Sequence, residues 1–140
     1  MLQEKQIIIP IIEEYQRNEI TEYHIYKRLA KSIKDPENSE ILNQIADDEL
    51  NHYNEWKTYT EREIKPNMWE IWKYYSISRV FGFTFGIKLM ERGEISAQES
   101  YARLIGKIPN IEKWIYYSKT SNWENRLFRK RTNNKLSLCG

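Results

Sequence analysis

Residues 46–56 read ADDELNHYNEW, a stretch rich in acids and amides in which Glu49 and His52 stand three apart. Three residues is close to one helical turn, so the two side chains share a face. The same face carries Leu42, Ile45, Trp56 and Tyr59, and an apolar stripe of that kind is what a helix turns toward a core. Burying an unpaired carboxylate there is prohibitive. The residues that compensate Glu49 must come from elsewhere in the chain.

Working outward, Asp35-Pro36-Glu37 has the form of a helix start, with Asp as N-cap, Pro at the first helical position and an acid in the first turn. The helix so opened runs to about Ile64, and Lys65-Pro66 ends it. Upstream, Ile8, Ile12, Tyr15, Glu19, Glu22, Tyr26, Leu29 and Ile33 alternate steps of four and three. They predict a helix over about residues 4–33, with Pro10 in or near its first turns. Downstream, residues 67–106 keep a helical pattern. As one rod they would be ~60 Å long, against ~40 Å for the second helix. A break is therefore expected around Gly82–Gly86, with a crossover segment before it and a third bundle helix after it. Phe83, Ile87, Glu91, Glu94, Gln98, Tyr101 and Ile105 form that helix's stripe. A fourth helix is expected from about Pro109 to 130, with Ile111, Ile115 and Ser118 inward. The fold class is all-α, a four-helix bundle.

Length and composition agree. The 140 residues suit one domain, and 40% hydrophobic with 14% aromatic residues is globular. The one cysteine, Cys139, allows no intrachain disulfide and fits a reducing, cytoplasmic setting. The apolar patch near the start is too short for an export signal. The most apolar stretch, residues 68–90, is interrupted by Glu70, Lys73, Arg79 and Lys88, so no transmembrane segment is expected. The net charge of +2 conceals an asymmetry. Residues 1–112 hold 15 bases and 19 acids, net −4, whereas residues 113–140 hold seven bases and one acid, net +6. The expected division is a helical domain over 1–130 and a flexible basic tail over 131–140. Arg126, Arg129, Lys130 and Arg131 form no recognisable nucleic-acid motif, and no specific nucleic-acid partner is expected.

On three successive helices the stripe is interrupted near its middle by acids: Glu19 with Glu22, Glu49 with His52, and Glu91 with Glu94. None of the three stripes contains Lys or Arg. Buried ion pairs are thereby disfavoured, while carboxylates combined with imidazole suit a pair of dications. A Glu-x-x-His helix joined by Glu residues from neighbouring helices is how bundles build di-iron and di-manganese sites. His52 would ligate as neutral imidazole, its other ring nitrogen held by a partner. Tyr26 and Tyr101 lie seven residues after Glu19 and Glu94, two turns along the same faces, where they serve either as hydrogen-bond donors to the ligands or simply as core tyrosines. His24 falls off the stripe and is expected to be exposed.

The stretches NEITEYHIYKRLA (18–30), IADDELNHYNEW (45–56) and TFGIKLMERGEISAQESY (84–101) together resemble the rubrerythrin branch of the ferritin-like superfamily. The likeness is closest to the rubrerythrin-like domains that precede the membrane part of vacuolar-iron-transporter-type proteins, and it covers roughly residues 8–112. It implies a ferritin-like bundle with a crossover between the second and third bundle helices. It also implies two iron ions, or manganese in their place, held by Glu19, Glu49, His52 and Glu94, with Glu91 as an additional carboxylate and Glu22 as a weaker candidate. The implied activity is iron oxidation or peroxide reduction, a di-iron peroxidase or ferroxidase chemistry using oxygen or hydrogen peroxide.

The chain departs from that family in three ways. A membrane part is not expected after the domain, so transport by this chain alone is not expected either. No CxxC pair supplies an electron-donor centre, so an external electron donor is required. Residues 114–130, WIYYSKTSNWENRLFRK, lack the second Glu-x-x-His of the fourth helix, through divergence or an altered reading frame. The alternative reading is a diverged bundle with an incomplete metal site, acting as an interaction or iron-sensing module. A homodimer pairing two first hairpins would bring Glu19, Glu49 and His52 together twice and restore a six-ligand set.

Overall fold

A computed structural model of the chain describes residues 2–90 and 92–93, with side-chain surroundings described for 6, 9–90 and 92–93. They fall in one unit, Met1–Tyr101. The expectations for Glu91, Glu94 and Tyr101, for the helix over 109–130 and for the tail lie outside the described residues.

The architecture is all-α. Helix α1 spans Leu2–Ser32, α2 Pro36–Thr60 and α3 Met68–Phe81. A fourth helix, α4, is described over residues 83–90 and 92–93. The principal packing is α1 against α2, and α3 also lies along α1. Three residues separate α1 from α2, a length that makes neighbouring helices antiparallel. Asp35 caps α2 by accepting from the Glu37 amide at 3.3 Å and from the Asn38 side chain, with Pro36 at the first position.

The core between α1 and α2 is built from Ile12, Ile25, Tyr26, Leu29 and Ala30 facing Leu42, Ile45, Ala46, Tyr53 and Trp56. Each large apolar side chain buried there contributes about 1.5–3 kcal/mol. α1 is buried on a broader face than its single stripe, since Gln16, Thr21 and Ile25 are buried as well. The end of α2 and the segment after it cover Gln16 and Thr21, and α3 adds a second neighbour: Arg28 of α1 lies 4.7 Å over the ring of Trp72, and Arg79 donates to the Ser32 carbonyl at 3.4 Å. On α2 the buried line drifts, because 3.6 residues per turn does not match a strict alternation of three and four. Tyr53 and Thr60 are buried, while Tyr59, expected inward, is 46% exposed.

Helix α2 ends at Thr60, earlier than the proline at 66 implies. Glu61 adopts a left-handed conformation (φ 54°), and its amide donates to the Lys57 carbonyl at 2.9 Å. The following segment is fastened to α1 and α2 by side chains. Gln16 Nε2 donates to the Arg62 carbonyl at 2.8 Å, and its Oε1 accepts from Thr60 Oγ1 at 2.6 Å. Tyr53 Oη accepts from the Ile64 amide at 3.2 Å, and Thr21 Oγ1 accepts from the Asn67 amide at 2.9 Å. Asn67 then caps α3, accepting from the amides of Trp69 and Glu70.

The break expected around Gly82–Gly86 falls at Gly82, whose φ of 94° favours glycine. The chain restarts at residue 83 and packs back on α3. A Cβ on Gly86 would sit 1.9 Å from Ser78 Oγ, and one on Gly93 would lie 3.6 Å from the Tyr74 hydroxyl. Gly86 is thus the close-approach residue of the α3–α4 hairpin. Among the described residues no helix is long and apolar enough to cross a membrane.

Candidate metal centre

Glu19 comes from the middle of α1; Glu49 and His52 come from the middle of α2. The hairpin brings them together: one ligand atom from each, two carboxylate oxygens and an imidazole nitrogen, all lie within 4.8 Å of one another. His52 Nδ1 is 3.3 Å from Glu49 Oε2 and 3.6 Å from Glu19 Oε2. Glu49 is 3% exposed, whereas the Glu19 and His52 side chains retain 16% and 31% of their accessibility. The group therefore has a buried floor and an accessible rim.

Electrostatics match that layering. Burial pushes the Glu49 carboxyl up to about 8, against the opposing pull of the His52 hydrogen bond. Hydrogen bonds to Glu19 and then Glu49 push His52 up to about 10, despite its own partial burial. Without a metal, an imidazolium holds the two acids together. Among the described residues no lysine or arginine pairs with Glu19 or Glu49; the ion pairs Lys27–Asp47, Lys57–Glu63 and Arg62–Glu13 lie elsewhere. Two carboxylate oxygens and one imidazole form a donor set suited to a divalent transition metal such as iron or manganese. The residues fit such an ion, which would replace the proton on His52 as the compensating charge.

Of the other candidates, Glu22 is buried one turn along α1 from Glu19 and is not part of this group. Tyr26 is fully buried two turns along α1. Glu91, Glu94 and Tyr101 lie outside the described residues. His24 is half-buried against Tyr23, edge to face at 5.0 Å, and burial followed by Arg28 lowers its pKa.

Trp56 and Tyr15 stand on the apolar stripes, where periodicity alone gives them no part in the site. Trp56 Nε1 donates to Glu19 Oε1 at 3.4 Å, and its ring stacks on Tyr15 with centroids 5.6 Å apart and planes at 19°. The signal was present in the spacing. Tyr15 is four residues before Glu19 and Trp56 four after His52, so each aromatic lies one turn from a donor on its own helix.

Comparison of the chain with protein-family models, with curated proteins and with solved structures found no match.

Proposed function

We propose that this chain is a non-haem iron carboxylate protein, using Glu19, Glu49 and His52 as iron ligands in oxygen or peroxide chemistry of the rubrerythrin type. The observation that carries the reading is the convergence of three donor atoms from two helices within 4.8 Å, around a carboxylate that is 3% exposed. A buried acid with no lysine or arginine partner among the described residues is costly unless a cation resides there. In this reading the hairpin is half of a ferritin-like bundle, and Glu91 and Glu94 supply ligands to a second iron. Ferrous iron held by these residues would supply electrons for the reduction of oxygen or peroxide, with an external donor needed to restore them.

The protein's own residues have separable tasks. Glu49 and His52 must give up protons to act as ligands, so metal and protons compete for them. The accessible edges of His52 and Glu19 leave a route for a small oxidant. The buried carboxylate beneath them offers a ligand oxygen from a floor that is itself 3% exposed.

The test is anaerobic ferrous reconstitution followed by desalting, an iron assay, and peroxide turnover with an artificial reductant. Two irons per chain with turnover support the full reading. One iron per chain, lost in Glu49→Gln, supports the alternative, a diverged bundle whose single-metal site senses or binds iron. A six-ligand site made by two hairpins would appear as metal-dependent dimerisation in sedimentation.

A further inference from the structure

The geometry points to Trp56 as a positioning residue that fixes Glu19 as a one-oxygen ligand, by holding Oε1 and leaving Oε2 to the metal. This rests on the metal-site reading above and adds a coordination mode to it. The two oxygens of Glu19 face different partners: Oε1 lies 3.4 Å from the indole nitrogen, and Oε2 lies 3.6 Å from His52 Nδ1. An N–H donor on a carboxylate oxygen makes a charge-assisted bond and competes with that oxygen's use as a ligand. The donor is itself held, because the indole is 7% exposed and stacks on Tyr15. Tyr15 and Glu19 sit one turn apart on α1, and His52 and Trp56 one turn apart on α2. The packing of the two helices therefore sets the ligand's orientation directly. An unheld carboxylate on a half-accessible rim can rotate and offer both oxygens to one ion. Held by the indole, Glu19 gives one, and a coordination position stays open for an exogenous molecule.

The test uses the full-length protein and Co²⁺ alone, whose visible absorption weakens as its coordination number rises. Trp56→Phe keeps an aromatic ring against Tyr15 and removes the N–H. The expected result is Co²⁺ bound with a weaker visible band than in wild type, together with an affinity loss of roughly tenfold or more. A Trp56→Phe protein with the wild-type band overturns the assignment whatever its affinity, since weaker binding alone is what a loosened core gives. If Trp56→Phe loses its helical circular dichroism, Tyr15→Leu takes its place: unstacking frees the indole and must weaken the band, and an unchanged band overturns the assignment. Wild-type protein that binds no Co²⁺ removes the metal-site reading itself, whereas binding with an unchanged Trp56→Phe spectrum leaves that reading intact and removes only this one.

Discussion

Nδ1 of His52 lies 3.3 Å from Oε2 of Glu49, one turn earlier on the same helix, and Glu19 closes the other side at 3.6 Å from the neighbouring helix of the hairpin. The proton on the imidazole thus does what a metal would otherwise do, bridging the ring to carboxylates from two helices. Its proton and a metal ion are alternatives, and the behaviour of the metal-free protein follows from that competition.

The first consequence is a pH trend of unusual sign for an acid-containing core. His52 is raised from 6.5 to about 10 by its hydrogen bonds to Glu19 and Glu49, and Glu49 from 4.5 to about 8 by burial. Between roughly 4.5 and 10 the folded state binds more protons than the unfolded one, so stability falls as pH rises. The His52 contribution is fully present below 6.5 and is lost through about 10; the Glu49 carboxyl must bury its charge as pH passes about 8. Thermal melts of metal-free protein followed by circular dichroism are expected to give a Tm that drops steadily from pH 6 to pH 9.5. A Tm that rises across that range would contradict the assignment.

Adding metal is expected to reverse the trend. Ligation requires Glu49 as carboxylate and His52 as neutral imidazole, so affinity for Co²⁺ or Fe²⁺ rises with pH and binding releases protons. At a free metal concentration a hundred times the dissociation constant, stabilisation is about 2.7 kcal/mol. Melts with and without Co²⁺ at pH 6 and pH 8.5 measure this, and the larger metal-induced shift is expected at pH 8.5.

Gly86→Ala tests the α3–α4 hairpin. The added Cβ would lie 1.9 Å from Ser78 Oγ, 2.9 Å from Ser78 Cβ and 3.0 Å from Ser78 Cα. Rotating the hydroxyl away relieves only the first of these, so the helices must separate. Overpacking of this kind costs about 1–3 kcal/mol. Urea unfolding is expected to show that loss, with partial recovery when Ser78→Gly is combined with it.

Gln16→Leu tests the fastening of the α2–α3 connection. The side chain is fully buried, with one bond to Thr60 and one to the Arg62 carbonyl. Leucine leaves both partners to find others, at about 1–3 kcal/mol per unsatisfied buried group. Because Gln16 holds the connection and belongs to no ligand set, the same variant is expected to bind Co²⁺ with wild-type affinity once folded, measured by titration below its Tm.

How much of this was legible in the sequence depended on whether a feature is local to one helix. Glu49 and His52 could be paired from their spacing, and Glu19 placed on the facing stripe, because helical periodicity fixes faces. Asp35-Pro36 marked the start of α2 because capping is a property of adjacent residues. The end of α2 carried no such mark: Glu61 takes a left-handed conformation without being glycine, held in place by the fastened segment that follows. Gln16 and Thr21 lie off the apolar stripe, and their burial reflects the α2–α3 connection folded over them, which one helix's pattern cannot announce. The bond from Trp56 to Glu19 depends on the register of α1 against α2, so only the folded hairpin reveals it.

Iron bound per chain decides whether Glu19, Glu49 and His52 hold a metal. Wild type and Glu49→Gln are loaded with ferrous iron anaerobically, desalted and assayed. Glutamine keeps the shape of Glu49 and removes its charge, so the variant is expected to fold at least as well at pH 9, where wild type must bury the carboxylate. Iron is expected to be retained stoichiometrically by wild type and lost from the variant, as befits a metal held by Glu49. Equal iron in the two proteins, or none in either, would contradict it.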